Sequence, residues 1–121
     1  EVVEGLLQQV NLWDARKRKL GTYSGGMRQR FGIAQALLGD PQLVIVDEPT
    51  VGIDVNAKAD VYALIKRLAE GGAAVLLSSS ELPELLHLCS RIYVMNDGRI
   101  VSELTGDAMS ETAILAHYFG H

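Results

Sequence analysis

The sequence predicts an α/β fold with mostly parallel, buried strands, flanking helices and a C-terminal β-hairpin. Two short continuous apolar runs, residues 43–46 and 73–77, have the pattern of strands buried on both faces. They alternate with stretches whose apolar residues recur at helical spacing, the order expected of a parallel sheet covered by helices. Asn96-Asp97-Gly98, between residues 91–95 and 99–103, is a hairpin turn signal.

Each element follows from its residues. Residues 1–11 place Val2, Val3, Leu6, Leu7 and Val10 on one helical face. Residues 12–23 form a connector holding the basic run Arg16-Lys17-Arg18-Lys19. Gly25-Gly26 opens a helix to about residue 38, and Gly39-Asp40-Pro41 stops it. Residues 43–46 form the first strand and 48–54 a loop. Residues 55–70 read as a helix with Val61, Leu64, Ile65 and Leu68 as its apolar stripe, ended by Gly71-Gly72. Residues 73–77 form the second strand, 81–88 a short helix, and Ser110-Glu111 starts a last helix ending near Phe119. Ligands of such sheets gather at the carboxyl ends of strands, here just after Val46 and Leu77.

Composition narrows the function. The 121 residues suffice for one small core, and 48% hydrophobic with 21% charged residues argues against disorder. A formal net charge of -4 argues against a generic polyanion binder. Arg16 to Lys19 lack interleaved aromatics and read as a solvated face rather than a nucleic-acid surface. The apolar runs are far shorter than the ~20 residues of a membrane span, and no segment has the layout of a secretory signal peptide. The single cysteine, Cys89, forms no internal disulfide and reads as a small apolar residue. The chain starts at Glu1, directly in helix-like sequence, which leads us to expect a piece of a longer protein.

The strongest chemical signal is Leu43-Val44-Ile45-Val46-Asp47-Glu48-Pro49-Thr50. A strand delivers two adjacent carboxylates to its carboxyl end, where they point different ways and can take different tasks. One can hold Mg²⁺, a hard cation that keeps much of its water. The other can orient or deprotonate an attacking water. Alone, this pattern is also that of a strand ending in polar turn residues. The second signal is Tyr23-Ser24-Gly25-Gly26-Met27, joined to the strand by the helix carrying Arg28, Gln29 and Arg30. Glycines at a helix start let phosphate oxygens approach the backbone, free N–H groups and the helix dipole favour an anion, and Ser24 adds a hydroxyl. Alone, Ser-Gly-Gly is a common helix cap; its pairing with the Asp-Glu strand at this separation is the specific feature.

Here the chain resembles the ATP-binding-cassette (ABC) ATPases over about residues 1–104. Ser24-Gly25-Gly26 matches that family's signature loop, residues 43–48 its Walker B strand, and Gly52-Ile53-Asp54 its D-loop. The resemblance implies the C-terminal part of a P-loop NTPase-type cassette: residues 1–38 the end of a helical subdomain, 39–104 the Walker B, D-loop and switch region, and 105–121 a C-terminal helix and tail. It implies ATP and Mg²⁺ as cofactors, with Asp47 assisting the metal and Glu48 as general base or water-positioning group. Ser24, Gly25, Gly26 and Met27 would face the γ-phosphate of an ATP held mainly by a second cassette, in a dimer that sandwiches two nucleotides. Asp54 would couple the two sites; on its own sequence it could equally cap the helix from Val55. The expected partners are that second cassette and membrane permease subunits, with no nucleic acid and no membrane insertion, at the cytoplasmic side of the cell membrane.

The sequence departs from the family pattern in places. No Gly-x-x-x-x-Gly-Lys-Ser/Thr segment is present, and Gly-Lys does not occur. That loop supplies the cradle and lysine for the β- and γ-phosphates, so this stretch alone is expected neither to bind ATP tightly nor to hydrolyse it. Ser80 aligns with the family's switch histidine; a serine donates a hydrogen bond but carries no charge. Ser80 reads equally as the N-cap of the helix from Glu81, and His87 as a residue within that helix. Met27 replaces the usual glutamine and can serve packing alone. Residues 20–50 look more like single-cassette exporter-type systems, while residues from 51 onward resemble the C-terminal cassette of sugar importers of the ribose and xylose type. Two other classes fit less well: a non-transport ABC ATPase acting as a nucleotide-gated clamp, for which sustained heptads are missing, and a non-catalytic module that only offers a signature face to a partner.

Overall fold

A computed structural model describes residues 1–120, which form two compact units, residues 1–78 and 79–120. The first unit runs α1 (Val2–Gln9), α2 (Gly25–Ala36), β1 (Leu43–Asp47), α3 (Val55–Glu70) and β2 (Ala74–Ser78). The second runs α4 (Leu82–Leu88), β3 (Arg91–Asn96), β4 (Arg99–Thr105) and α5 (Glu111–Phe119).

In the first unit β1 and β2 pair in parallel, with Val44 opposite Val75 and Asp47 opposite Ser78. Helix α3 supplies the crossover. Its predicted stripe is its buried face: Val61, Leu64, Ile65 and Leu68 are all buried. Each such side chain contributes about 1.5–3 kcal/mol through removal from water. Asp54 caps its start, accepting the Ala57 N–H at 2.9 Å. Helix α1 is tied to its neighbours by arginines, Arg30 Nη1 donating to the Val10 carbonyl at 3.3 Å and Arg67 Nη2 to that of Gln9 at 3.1 Å.

The connector of residues 12–23 is knit by its own basic and aromatic residues. Arg16 lies 4.0 Å over the Trp13 ring and donates to the Trp13 carbonyl at 2.9 Å. Arg18 donates to the Thr22 carbonyl at 2.7 Å, and the buried Tyr23 hydroxyl to that of Ala15 at 2.9 Å. Half of the basic run is thus engaged locally.

One expectation is corrected. The strands are not buried on both faces. In β1, Val44 and Val46 are buried while Leu43 and Ile45 are 55% and 68% exposed, and Leu76 of β2 is 57% exposed. Side chains alternate across a strand, and among the described residues helices cover one face of this sheet only.

In the second unit β3 and β4 form the predicted hairpin. Asp97 and Gly98 take φ of 51° and 73°, the two left-handed residues that a tight turn between twisted strands requires. Between Val94 and Met95 the register shifts, so Val94 faces Ser102 and Met95 faces Ile100. Ile92, Val94, Leu104 and Ile114 form the core, with Leu85 and Cys89 packed on it. Ser110 caps α5 through the Ala113 N–H at 3.1 Å.

Candidate functional site

The residues singled out in the sequence fall at three junctions of strand, turn and helix. Ser24 is the N-cap of α2. Its extended backbone (φ −65°, ψ 167°) turns its Oγ onto the Met27 N–H at 3.2 Å. The hydroxyl thereby accepts from the helix and keeps its own hydrogen for an outside acceptor. Ser24 and Gly25 are exposed, Met27 is half-buried, and Gly26 is buried.

Asp47 ends β1 and is exposed; Glu48 follows at once and is half-buried. Glu48 has φ +47°, a left-handed conformation unusual for a non-glycine residue, and its N–H donates to the Ser78 carbonyl at 2.7 Å. The chain then leaves the sheet through two turns, Val51 N–H to the Glu48 carbonyl at 3.4 Å and Ile53 N–H to that of Thr50 at 3.2 Å. Pro49 and Thr50 are buried beneath them. Gly52 adopts φ +73°. These turns deliver Asp54 to the start of α3, where it is the N-cap.

The two stretches meet. A Cβ placed on Gly25 would lie 3.4 Å from the Gly52 carbonyl oxygen and 3.7 Å from Ile53 Cγ1, and one on Gly26 only 2.7 Å from the Ala57 Cβ. The Ser24–Met27 stretch therefore rests on the loop that Glu48 opens and Asp54 closes. Ala57 had no signal in the sequence beyond being a small residue in the first turn of a helix.

Ser80 belongs to the second unit and is exposed. The expected N-cap is not Ser80: Glu81 itself occupies the N-cap position of α4, and Ser79 Oγ accepts the Glu81 N–H at 3.0 Å in the turn before the helix. The middle of three consecutive serines has the right reach, two residues before the donor.

Metal and nucleotide can be tested against these donors. Among the described residues no cluster of three or more His, Cys, Asp or Glu side chains could cage a metal ion. One exposed carboxylate at a strand end still fits Mg²⁺, which binds through one or two carboxylates, waters and substrate phosphates.

The family model described as ABC transporter matches residues 1–51. A ribose import ATP-binding protein of Rhizobium meliloti is 45% identical over 96 residues, covering 79% of this chain and 19% of that protein. A ribose import ATP-binding protein of Caldanaerobacter subterraneus is 39% identical over 120 residues, 98% of this chain and 24% of that protein. An L-arabinose transport ATP-binding protein of Geobacillus stearothermophilus is 41% identical over 98 residues, 81% of this chain and 19% of that protein. The Caldanaerobacter alignment runs through both halves, so the likeness to sugar importers is not confined to residues from 51 onward. Among solved structures, an ABC-transporter cassette in its ADP conformation superposes with a TM-score of 0.85 at 26% identity, over 98% of this chain and 49% of that one. A nucleotide-free cassette shares the fold with a TM-score of 0.88 at 24% identity, over 99% and 49%. The chain thus spans about a fifth to a quarter of the curated relatives and about half of a solved cassette. By these matches the chain belongs to the ABC-transporter ATP-binding family and carries the C-terminal part of its cassette.

Proposed function

We propose that this chain forms part of the ATP-hydrolysing subunit of an ABC transporter that drives sugar import through a membrane permease. The observation that carries the reading is the seating of Ser24–Met27 on the turn between Glu48 and Asp54, which gathers a phosphate-facing helix start and two strand-end carboxylates into one unit. The names of the ribose and arabinose relatives supply the sugar class.

In this reading each residue has a task set by its position. Glu48, at the strand's carboxyl end, orients the attacking water or takes its proton. Asp47 would hold Mg²⁺, which when bound offsets charge on the phosphates. Ser24, through its free hydroxyl hydrogen, and the backbone N–H groups of Gly25 and Gly26 meet the γ-phosphate of an ATP held by a second cassette; Met27 packs beneath them. Asp54 links the two nucleotide sites. Ser80 offers the γ-phosphate a neutral hydrogen bond in place of a cation. In domain terms residues 1–38 close a helical subdomain, 39–104 carry the hydrolytic core and 105–121 form a tail. The β- and γ-phosphate cradle has no counterpart in this stretch, so ATP is gripped by the remainder of the cassette. The subunit works peripherally at the cytoplasmic face, against its permease and a second cassette.

In the complete cassette protein, Glu48→Gln keeps the side chain's size and removes the base. Turnover is expected to fall by roughly 10²–10⁴-fold while an ATP-bound dimer accumulates; wild-type turnover in that variant sinks the role given to Glu48. ATP-dependent association of the wild-type protein with a partner, without turnover, would instead mark a binding module.

A further inference from the structure

We propose that Ala57 is a positioning residue for the signature loop: its methyl group is the seat on which Gly26 rests, and it fixes where α2 presents Ser24 and Gly25. The inference rests on the reading of Ser24–Met27 as the phosphate-facing stretch.

The geometry is local and complete. Gly26 is buried, and a Cβ there would meet the Ala57 Cβ at 2.7 Å and its Cα at 3.8 Å. Real Cβ atoms do not approach that closely, so one methyl group fills the space between the two helix starts and a second does not fit. The Ala57 Cβ is not the end of a flexible side chain; it is held by the first turn of α3. That turn is in turn fixed by Asp54 Oδ1, which accepts the Ala57 N–H at 2.9 Å. On the other helix, Ser24 Oγ fixes the first turn of α2 through the Met27 N–H at 3.2 Å. Two capped helix starts therefore meet at one methyl group, and Ile53 borders the same space, its Cγ2 lying 3.7 Å from where a Cβ on Gly26 would stand. A shift of several tenths of an ångström at this contact moves the Ser24 hydroxyl and the helix N–H groups together, and displacements near 1 Å cost up to about 100-fold in rate.

The test exchanges the methyl group between the two helices in the complete cassette protein, reading kcat/KM for ATP alongside Tm. Gly26→Ala is expected to lower kcat/KM by about tenfold or more. Ala57→Gly removes the seat and is expected to lower kcat/KM severalfold, and it also lowers Tm because glycine loses more backbone freedom on folding. The double variant Gly26→Ala/Ala57→Gly returns the methyl count to one; it is expected to recover kcat/KM while Tm stays low. Activity and stability then move independently, which a purely structural contact does not produce. Ala57→Leu adds bulk from the α3 side with Gly26 intact and is expected to reproduce the loss, which keeps the test sound if Gly26→Ala fails to fold. A double variant as impaired as Gly26→Ala, or an unimpaired Ala57→Leu, overturns the proposal. Ser24→Arg separates the two levels. If it leaves nucleotide-driven dimerisation and turnover unchanged, the phosphate-facing reading fails and the proposal with it. If it abolishes them and the swap does not rescue, only the role of Ala57 fails.

Discussion

The backbone N–H of Glu48 donates to the carbonyl oxygen of Ser78 at 2.7 Å, one residue beyond the pair Asp47–Ser78 that ends the parallel ladder. This bond holds Glu48 in a left-handed conformation, φ +47°, that costs an L-residue about 1–2 kcal/mol. The ladder behind it and the turns ahead keep it there. A strained backbone and the proposed base thus coincide in one residue.

Glu48→Gly should therefore separate stability from activity. Glycine adopts φ > 0 without steric cost, so the variant is expected to unfold at the same or higher denaturant concentration than wild type while ATP turnover is lost. Glu48→Val, β-branched at the same φ, is expected to lose at least about 1 kcal/mol. Urea unfolding of the two variants side by side decides it; a strongly destabilised Glu48→Gly contradicts the strain assignment.

Asp54 joins two tasks that substitution can pull apart. Asp54→Ala removes the acceptor for the Ala57 N–H and should cost about 0.5–2 kcal/mol. Asp54→Asn keeps a capping oxygen and removes the charge, so its stability should remain within a few tenths of a kcal/mol of wild type. Any loss of turnover in Asp54→Asn then reports the coupling between nucleotide sites and not the cap. Thermal melts and ATPase rates on the same samples make the comparison.

The connector of residues 12–23 should respond unevenly to side-chain truncation. Tyr23→Phe deletes the buried hydroxyl that donates to the Ala15 carbonyl and is expected to cost about 1 kcal/mol. Lys17→Ala and Lys19→Ala touch only exposed side chains and should stay within about 0.5 kcal/mol of wild type. A Tyr23→Phe variant as stable as the lysine variants would show that the hydroxyl bond does not hold this loop.

Cys89 gives a pH signature. Burial, and secondarily the Glu84 carboxylate, push its thiol above the ordinary value. The folded state therefore binds this proton more tightly than the unfolded state. Its contribution to stability is intact below the ordinary thiol value and is lost as pH rises through the folded one. Cys89→Ala should flatten that alkaline decline, and alkylation of the native thiol by iodoacetamide at pH 8 should be slower than that of the unfolded chain. Equal alkylation rates would refute the shift.

Much of this was legible in the sequence because the signals were local. The bounds of α3 follow from Asp54 at one end, Gly71-Gly72 at the other and a four-residue stripe between; the hairpin follows from Asp97-Gly98. What was not legible depends on other elements. A continuous apolar run such as Leu43-Val44-Ile45-Val46 does not say which face is covered, and here one face was left open. Glutamate has no preference for φ > 0, so the conformation of Glu48 arises from its bond to Ser78, thirty residues away in sequence. Three serines in a row left the start of α4 open; its N-cap is Glu81, with Ser79 holding the Glu81 N–H from the turn before it. The packing of Gly26 on Ala57 joins two helix starts that no sequence period relates.

The open face of the β1–β2 sheet has a practical consequence. Leu43, Ile45 and Leu76 stand on strands that pair, among the described residues, only with each other. Each strand therefore keeps an edge with no strand partner among the described residues, beside exposed apolar side chains. Such a surface is a template for adhesion between molecules. In a preparation of these 121 residues, light scattering is expected to rise with concentration and to fall when Ile45, at the centre of the exposed row, is replaced by lysine or threonine.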